Sequence, residues 1–308
     1  MQQTLKNSIS ITDIGLHSGA DITMTIHPAR AGHGVVFVRT DITDKNNVVP
    51  ALWDHVVDTQ LCTVIGNADG VTIGTVEHLM AALRGCGIDN VLIEIDGAEI
   101  PAMDGSSAPF VALIEKAGVV SQAKPRKVIK VLKEIRVEAD GKWATLKPSL
   151  GSVFGGQIEF DHPDIGTQSM EVQLVNGNFK HDIADSRTFG FLHEVEYMRS
   201  QGLALGGSLD NAIVLDQHSV MNEDGLRHED EFIRHKLLDA IGDLYLAGGQ
   251  IIGAYDSSKP GHALNNALLR ALFADADAWT IEDRYVDTAE IPDYEPVAVK
   301  APAEHISA

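Results

Sequence analysis

His235 and Asp239 stand four residues apart within residues 224–243, which read DGLRHEDEFIRHKLLDAIGD. On a helix that spacing puts both side chains on one face, with Asp243 one turn further along. An imidazole and a carboxylate converging on one small volume suit a divalent metal. Ile233, Leu237, Ala240, Ile241 and Leu244 form a separate apolar stripe, so the helix can bury one side while His235, Lys236, Asp239 and Asp243 face elsewhere. The same pattern also describes an ordinary solvated helix face. A metal site therefore needs a third ligand from another part of the chain.

His78, preceded by Glu77 in the first turn of an earlier predicted helix, is the candidate. Two imidazoles and one carboxylate with a position left open make a catalytic zinc set, in which the metal lowers the pKa of a bound water to about 7. Glu77, next to His78, could then take the water's proton. A purely structural account competes: Glu77 complements the positive helix N-terminus, and His78 is a polar residue off the apolar stripe. His262, in KPGH at the start of the last predicted helix, is an odd choice where a helix terminus disfavours a cation. It is either an exposed loop residue or a proton donor to a leaving group, oriented by Asp243. Thr188, in SRTFG, could offer its hydroxyl to a developing oxyanion, or it is simply a loop threonine. The remaining histidines, His17 and His162 among them, lack a helical carboxylate partner or sit in loops and are given no functional role. The sequence contains no P-loop, no GxGxxG after a strand and no GxSxG elbow.

The elements that carry these residues are partly legible. Residues 8–14, 21–26, 35–39 and 62–65 read as short strands. In GTVEHLMAALRG, Thr75 is a suitable N-cap, Val76, Leu79, Met80 and Leu83 follow helical spacing, and Gly85 can close the helix. Residues 90–95 form a β-branched strand, and 108–117 a second helix closed by Gly118. The polar stretch 121–127 marks a boundary, after which strands resume at 128–131, 135–139, 143–147 and 156–160, with Asp140-Gly141 as a hairpin signal. Residues 192–201 predict a helix ended by Gly202, and 212–215 a strand, so this portion reads as a β-α-β-like insertion. The helix bearing His235 follows, then a strand at 250–254 and a helix over 262–274. The end from Pro292 is expected to be loosely held. Both halves therefore follow the order strands, helix, strand, helix, an α+β class with helices packed on sheets.

A chain of 308 residues suggests two domains at about 150 residues each. We expect a first domain over 1–124, supplying Glu77 and His78. A second, over 125–298 with its insertion around 190–216, supplies His235, Asp239 and His262 and leaves a tail at 299–308. With 44% hydrophobic and 22% charged residues the chain reads as globular. A formal charge of -20 argues against nucleic acid or an anionic membrane as main partner. The N-terminus lacks a signal-peptide pattern and no stretch approaches the roughly 20 apolar residues of a membrane span, which predicts a cytoplasmic protein. Cys62 and Cys86, the only cysteines, are expected to be reduced and packed.

In order along the chain, FVRTD, GTVEHLMAAL, DSRTFGF, GLALGGSLDNAIV, NEDGLRHEDEFIRHKLLDAIGDL and SKPGHALNNALL closely resemble the UDP-3-O-acyl-N-acetylglucosamine deacetylases, zinc enzymes of lipid A synthesis. The resemblance runs over nearly the whole chain. It implies that His78, His235 and Asp239 bind Zn2+, that Glu77 is the general base, and that His262, supported by Asp243, is the acid or electrostatic partner. Thr188 would stabilise the tetrahedral intermediate. Lys236 and Lys142 would contact the nucleotide diphosphate, Phe160 would stack on uracil, and Phe189 would join the substrate-binding set. The family's two similar domains place the site at their interface, and the insertion, here 192–214, forms an apolar passage for the acyl chain. The implied partner is an acylated UDP-amino-sugar taken by a monomer. Two accounts stay open beside this one: a non-haem iron oxygenase, whose facial triad uses the same ligand types, and a nucleotide-sugar binding protein without catalysis.

Overall fold

The computed structural model describes residues 1–175 and 177–284. The end expected from Pro292, the close of the second unit at 298 and the tail 299–308 lie outside the described residues. The helices are α1 (Glu77–Gly85), α2 (Ala108–Ala117), α3 (Phe179–Asp182), α4 (Leu192–Ser200), α5 (Glu231–Tyr245) and α6 (His262–Ala274). With the sheets described below they make an α+β fold organised around α5.

Helix α5 packs on α1 on one side and on the strands Ser152–Glu159, Thr167–Gln173 and Gln250–Ser258 on another, with α6 alongside. Its apolar stripe is wider than the sequence pattern suggests. Phe232, Ile233, Leu237, Leu238 and Ile241 are all fully buried, and each contributes roughly 1.5–3 kcal/mol relative to exposure. His235, Asp239 and Asp243 are buried too, so the solvated-face account of this helix is excluded. What lets α1 approach so closely is Gly242: a Cβ there would overlap the Glu77 carbonyl oxygen and come within 3.1 Å of the Ala81 nitrogen.

The first sheet runs in the order Ile9–Ile14, Asp21–Pro28, Val91–Ile95, Val35–Arg39, Val48–Pro50. Beside it, Gln3–Leu5 pairs antiparallel with Val119–Ser121, tying the chain's start to the end of this segment. The larger, seven-stranded sheet has the path Ile135–Ala139, Lys142–Lys147, Gln250–Ser258, Arg126–Val131, Trp279–Arg284, and Ser152–Glu159 and Thr167–Gln173 extend it from Gln250–Ser258. Asp140 (φ 52°) and Gly141 (φ 72°) form the expected two-residue hairpin turn. Phe189–Phe191 and Ile213–Leu215 pair parallel on either side of α4, the βαβ arrangement anticipated for the insertion.

Three local expectations need correction. Thr75 does not cap α1: it adopts φ 56°, Val76 holds the cap position, and the Thr75 hydroxyl donates to Glu99 Oε1 at 3.2 Å. Gly85 lies within the last turn of α1, where the absence of a Cβ accommodates the ring of Phe179, while Gly87 (φ 68°) takes the left-handed position beyond the helix. The strand expected at 250–254 continues to Ser258, because it is bordered by Lys142–Lys147 on one side and Ser152–Glu159 on the other. Both cysteines are free, Cys62 buried and Cys86 partly so. Among the described residues no helix is long and apolar enough to cross a membrane.

Candidate metal centre

His78, on α1, meets His235 and Asp239, on α5. Asp239 Oδ1 lies 3.3 Å from His235 Nε2 and 3.6 Å from His78 Nε2. The two imidazoles stand nearly perpendicular, at 83°, with centroids 5.0 Å apart. All three residues are buried, at 6%, 2% and 3% exposure. These separations are long for hydrogen bonds. They match the edges of a coordination sphere, since a tetrahedral ion with bonds of about 2.0–2.1 Å holds its ligand atoms about 3.4 Å apart.

The charges and orphaned atoms fit a cation. Asp239 Oδ1 is buried with no hydrogen-bond partner, an arrangement that costs at least about 1–3 kcal/mol unless something positive meets it. The other oxygen, Oδ2, accepts from Lys236 Nζ at 2.9 Å. His235 donates from Nδ1 to the Ser186 carbonyl at 3.0 Å, which leaves the Nε2 lone pair aimed at the centre. Burial pushes the His235 imidazole down to about 4, against the pull of Asp239. Burial alone would raise the Asp239 carboxyl, but His235 and Lys236 beside it hold it well below the usual range. Neutral imidazole and ionised carboxylate are the forms that ligate a metal.

A second cluster adjoins the first. His262 donates from Nδ1 to Asp243 Oδ2 at 2.9 Å and turns Nε2 toward Glu77 Oε1 at 3.7 Å. Burial lowers the His262 imidazole, yet Asp243 and Glu77 outweigh it and raise the group to about 10. Burial likewise raises the Glu77 carboxyl, tempered by His262 and His78. Asp243 is fully engaged: Thr63 donates its hydroxyl to Oδ1 at 2.6 Å, and Asn265 donates to Oδ2 at 2.9 Å. Asn265 is itself held by the Tyr255 hydroxyl at 2.7 Å, and the Thr63 N–H donates to Glu77 Oε2 at 3.1 Å. Sequence reasoning missed Thr63 and Asn265. Neither carries a local signal, because their importance lies in partners distant along the chain.

Thr188 and Phe189 line a mainly apolar cavity of about 220 Å³ with Leu192, Val195, Met198 and Val214. His17, given no functional role from the sequence, also lines that cavity, and its Nδ1 is buried without a partner. The loop carrying Thr188 is pinned to the start of α5 by the buried pair Arg187–Glu231, at 2.9 Å. Phe189 packs 6.3 Å from the His235 ring and 5.8 Å from Phe160, and Lys236 Nζ sits 5.5 Å from the Phe189 centroid. Lys142 is exposed, and its side chain makes no hydrogen bond or ion pair among the described residues. It lies one residue beyond the Trp143–Ser258 pair, at the end of the sheet from which the chain turns into His262.

Two buried imidazoles, a carboxylate with an orphaned oxygen, and a glutamate facing a histidine at the same centre are the equipment of a metal-dependent hydrolase. Residues 2–274 match the model of the family described as LpxC, UDP-3-O-acyl N-acetylglycosamine deacetylase, and the chain belongs to that family. Similar proteins named UDP-3-O-acyl-N-acetylglucosamine deacetylase occur in several bacteria. One from Haemophilus influenzae (strain 86-028NP) is 52% identical over 288 residues, 92% of this chain and 94% of that protein. One from Stenotrophomonas maltophilia (strain K279a) is 50% identical over 304 residues, 98% of each. One from Shewanella halifaxensis (strain HAW-EB4) is 50% identical over 282 residues, 91% of this chain and 92% of its own length.

Proposed function

We propose that this protein hydrolyses the N-acetyl group of UDP-3-O-acyl-N-acetylglucosamine, releasing acetate and the free amine, an early committed step of lipid A synthesis. The observation that carries the reading is the convergence of His78 with His235 and Asp239, whose Oδ1 has no protein partner. Membership of the deacetylase family gives that centre its substrate class. Zn2+ is the metal this donor set suits best. When bound, it polarises the acetamide carbonyl and lowers the pKa of a water to about 7.

The chain's own residues supply the proton transfers. Glu77 accepts the proton of the attacking water. The imidazolium of His262, oriented by Asp243, donates to the departing nitrogen, and the Thr188 hydroxyl donates a hydrogen bond to the developing oxyanion. On the nucleotide side, Lys236 and Lys142 meet the diphosphate, Phe160 stacks on uracil and Phe189 packs beside it. The apolar cavity takes the acyl chain.

In this reading residues 1–124 and 125–298 are two units with the site between them, and 299–308 are a tail. One chain supplies every site residue, which favours a monomer. Two free cysteines fit a reducing compartment, the cytoplasm. The same three ligands would also suit a non-haem iron oxygenase. The buried Glu77, facing His262 at 3.7 Å, favours hydrolysis, because a base beside a proton donor is what amide cleavage needs. The test is metal-loaded protein with an acylated UDP-N-acetylglucosamine, scored for acetate and a primary amine. Equal yields of both are expected, and no acetate in the presence of Zn2+ would contradict the proposal.

A further inference from the structure

The turn at residues 103–107 comes from the first half of the chain, yet it holds parts of both halves. Ser107 donates its hydroxyl to the His78 carbonyl at 2.7 Å and its N–H to the Ala184 carbonyl at 2.9 Å. Two residues earlier, the Gly105 carbonyl accepts the N–H of Thr188 at 2.8 Å. Three consecutive residues therefore join the backbone of a triad residue to the backbone of Thr188.

The turn is held rigidly. Met103 (φ 55°) and Gly105 (φ 82°) both occupy the left-handed region, which a methionine keeps only when its surroundings enforce it. Asp104 Oδ1 accepts the Ser106 N–H at 3.0 Å and hydroxyl at 2.7 Å, and Asp104 Oδ2 accepts from Arg227 Nη1 at 3.0 Å. The Arg227 N–H donates in turn to Glu231 Oε2 at 2.6 Å, at the start of α5. Gly105 also has no room for a side chain: a Cβ would overlap the Asn211 carbonyl and approach Thr188 Cγ2 to 3.3 Å.

We infer that Gly105 is a positioning residue for the reaction, setting the Thr188 hydroxyl relative to the metal triad through its carbonyl and its missing side chain. The inference rests on the reading of Thr188 as an oxyanion donor. Loss of one such donor costs about 10²–10³ in kcat, and a misplacement of about 1 Å costs about 10². A steric push at Gly105 should therefore act as though Thr188 were absent.

The test compares metal-loaded wild type, Gly105→Ala, Thr188→Ala and the double variant for kcat, KM and metal content. Each single change is expected to lower kcat about 10²-fold with KM and metal content unchanged, and the double variant should be no slower than Thr188→Ala. Losses that multiply in the double variant would overturn the inference and leave the role of Thr188 standing. Full kcat in Thr188→Ala would overturn that role and the inference with it. Asp104→Asn loosens the turn without added bulk and covers failure of Gly105→Ala to fold. A smaller loss that vanishes in the Thr188→Ala background supports the inference, whereas an unchanged kcat or a persisting loss overturns it.

Discussion

The carbonyl oxygen of Glu77 sits so close to Gly242 that no side chain fits between them, and the register of α1 against α5 follows from that one approach. Gly242→Ala must push the two helices apart, taking His78 away from His235 and Asp239. Overpacking of this kind costs about 1–3 kcal/mol. The expected outcome is a lower Tm and, in protein that still folds, weaker metal binding. Thermal unfolding together with metal analysis measures both, and a variant with wild-type metal affinity would show that the close approach does not set the site.

Metal removal should destabilise the protein, because Asp239 Oδ1 then stays buried without a partner. At a thousandfold excess over Kd a bound ion adds about 4 kcal/mol. Chelation is expected to lower Tm, and readdition of Zn2+ to restore it. In Asp239→Ala the metal should no longer raise Tm. A metal-dependent Tm of wild-type size in that variant would exclude Asp239 as a ligand.

The pH profile should be a bell that needs Glu77 ionised and His262 protonated. Burial holds Glu77 above the ordinary 4.5, so the rising limb lies above that value. Asp243 is the main group lifting His262 toward about 10, so removing its charge lets the imidazole lose its proton at lower pH. In Asp243→Asn the falling limb of kcat is therefore expected to move to lower pH, alongside a loss of roughly 10²–10⁴ in rate. An unmoved falling limb would mean that His262 is not the group being titrated.

Filling the apolar cavity should separate acyl recognition from chemistry. Ala212 lines it, and Ala212→Phe would occupy part of its roughly 220 Å³. Each methylene kept out costs about 0.8 kcal/mol, so excluding three should lower kcat/KM for the acylated substrate by more than tenfold. Turnover of UDP-N-acetylglucosamine without the acyl chain should be unchanged. Equal losses on both substrates would place the acyl chain elsewhere.

Much of this architecture was legible from local pattern. Helix α2 with Gly118, helix α6 and the strands Val35–Arg39 and Ile135–Ala139 have the bounds that periodicity and turn residues predict. Thr75 misled because its hydroxyl is taken by Glu99, a partner that no local rule identifies. Thr167–Gln173 and Trp279–Arg284 were not foreseen, since TQSMEVQ and WTIEDR carry too few apolar residues and owe their strand form to neighbours already in the sheet. For the site, the spacing of His235 and Asp239 was readable, His78, Glu77 and His262 stood as candidates beside a purely structural account, and the resemblance implied their roles. Thr63 was not readable, because the carboxylate it serves lies 180 residues away.

The position of the bound metal is the most direct test of the site. Anomalous diffraction at the zinc edge from crystals of the Zn2+-loaded protein would locate it directly. The expected result is one strong peak about 2.0–2.2 Å from His78 Nε2, His235 Nε2 and an oxygen of Asp239, with Glu77 and His262 beside its remaining position. A peak held by Glu77 and His262 alone, or one with His78 turned away from α5, would contradict it.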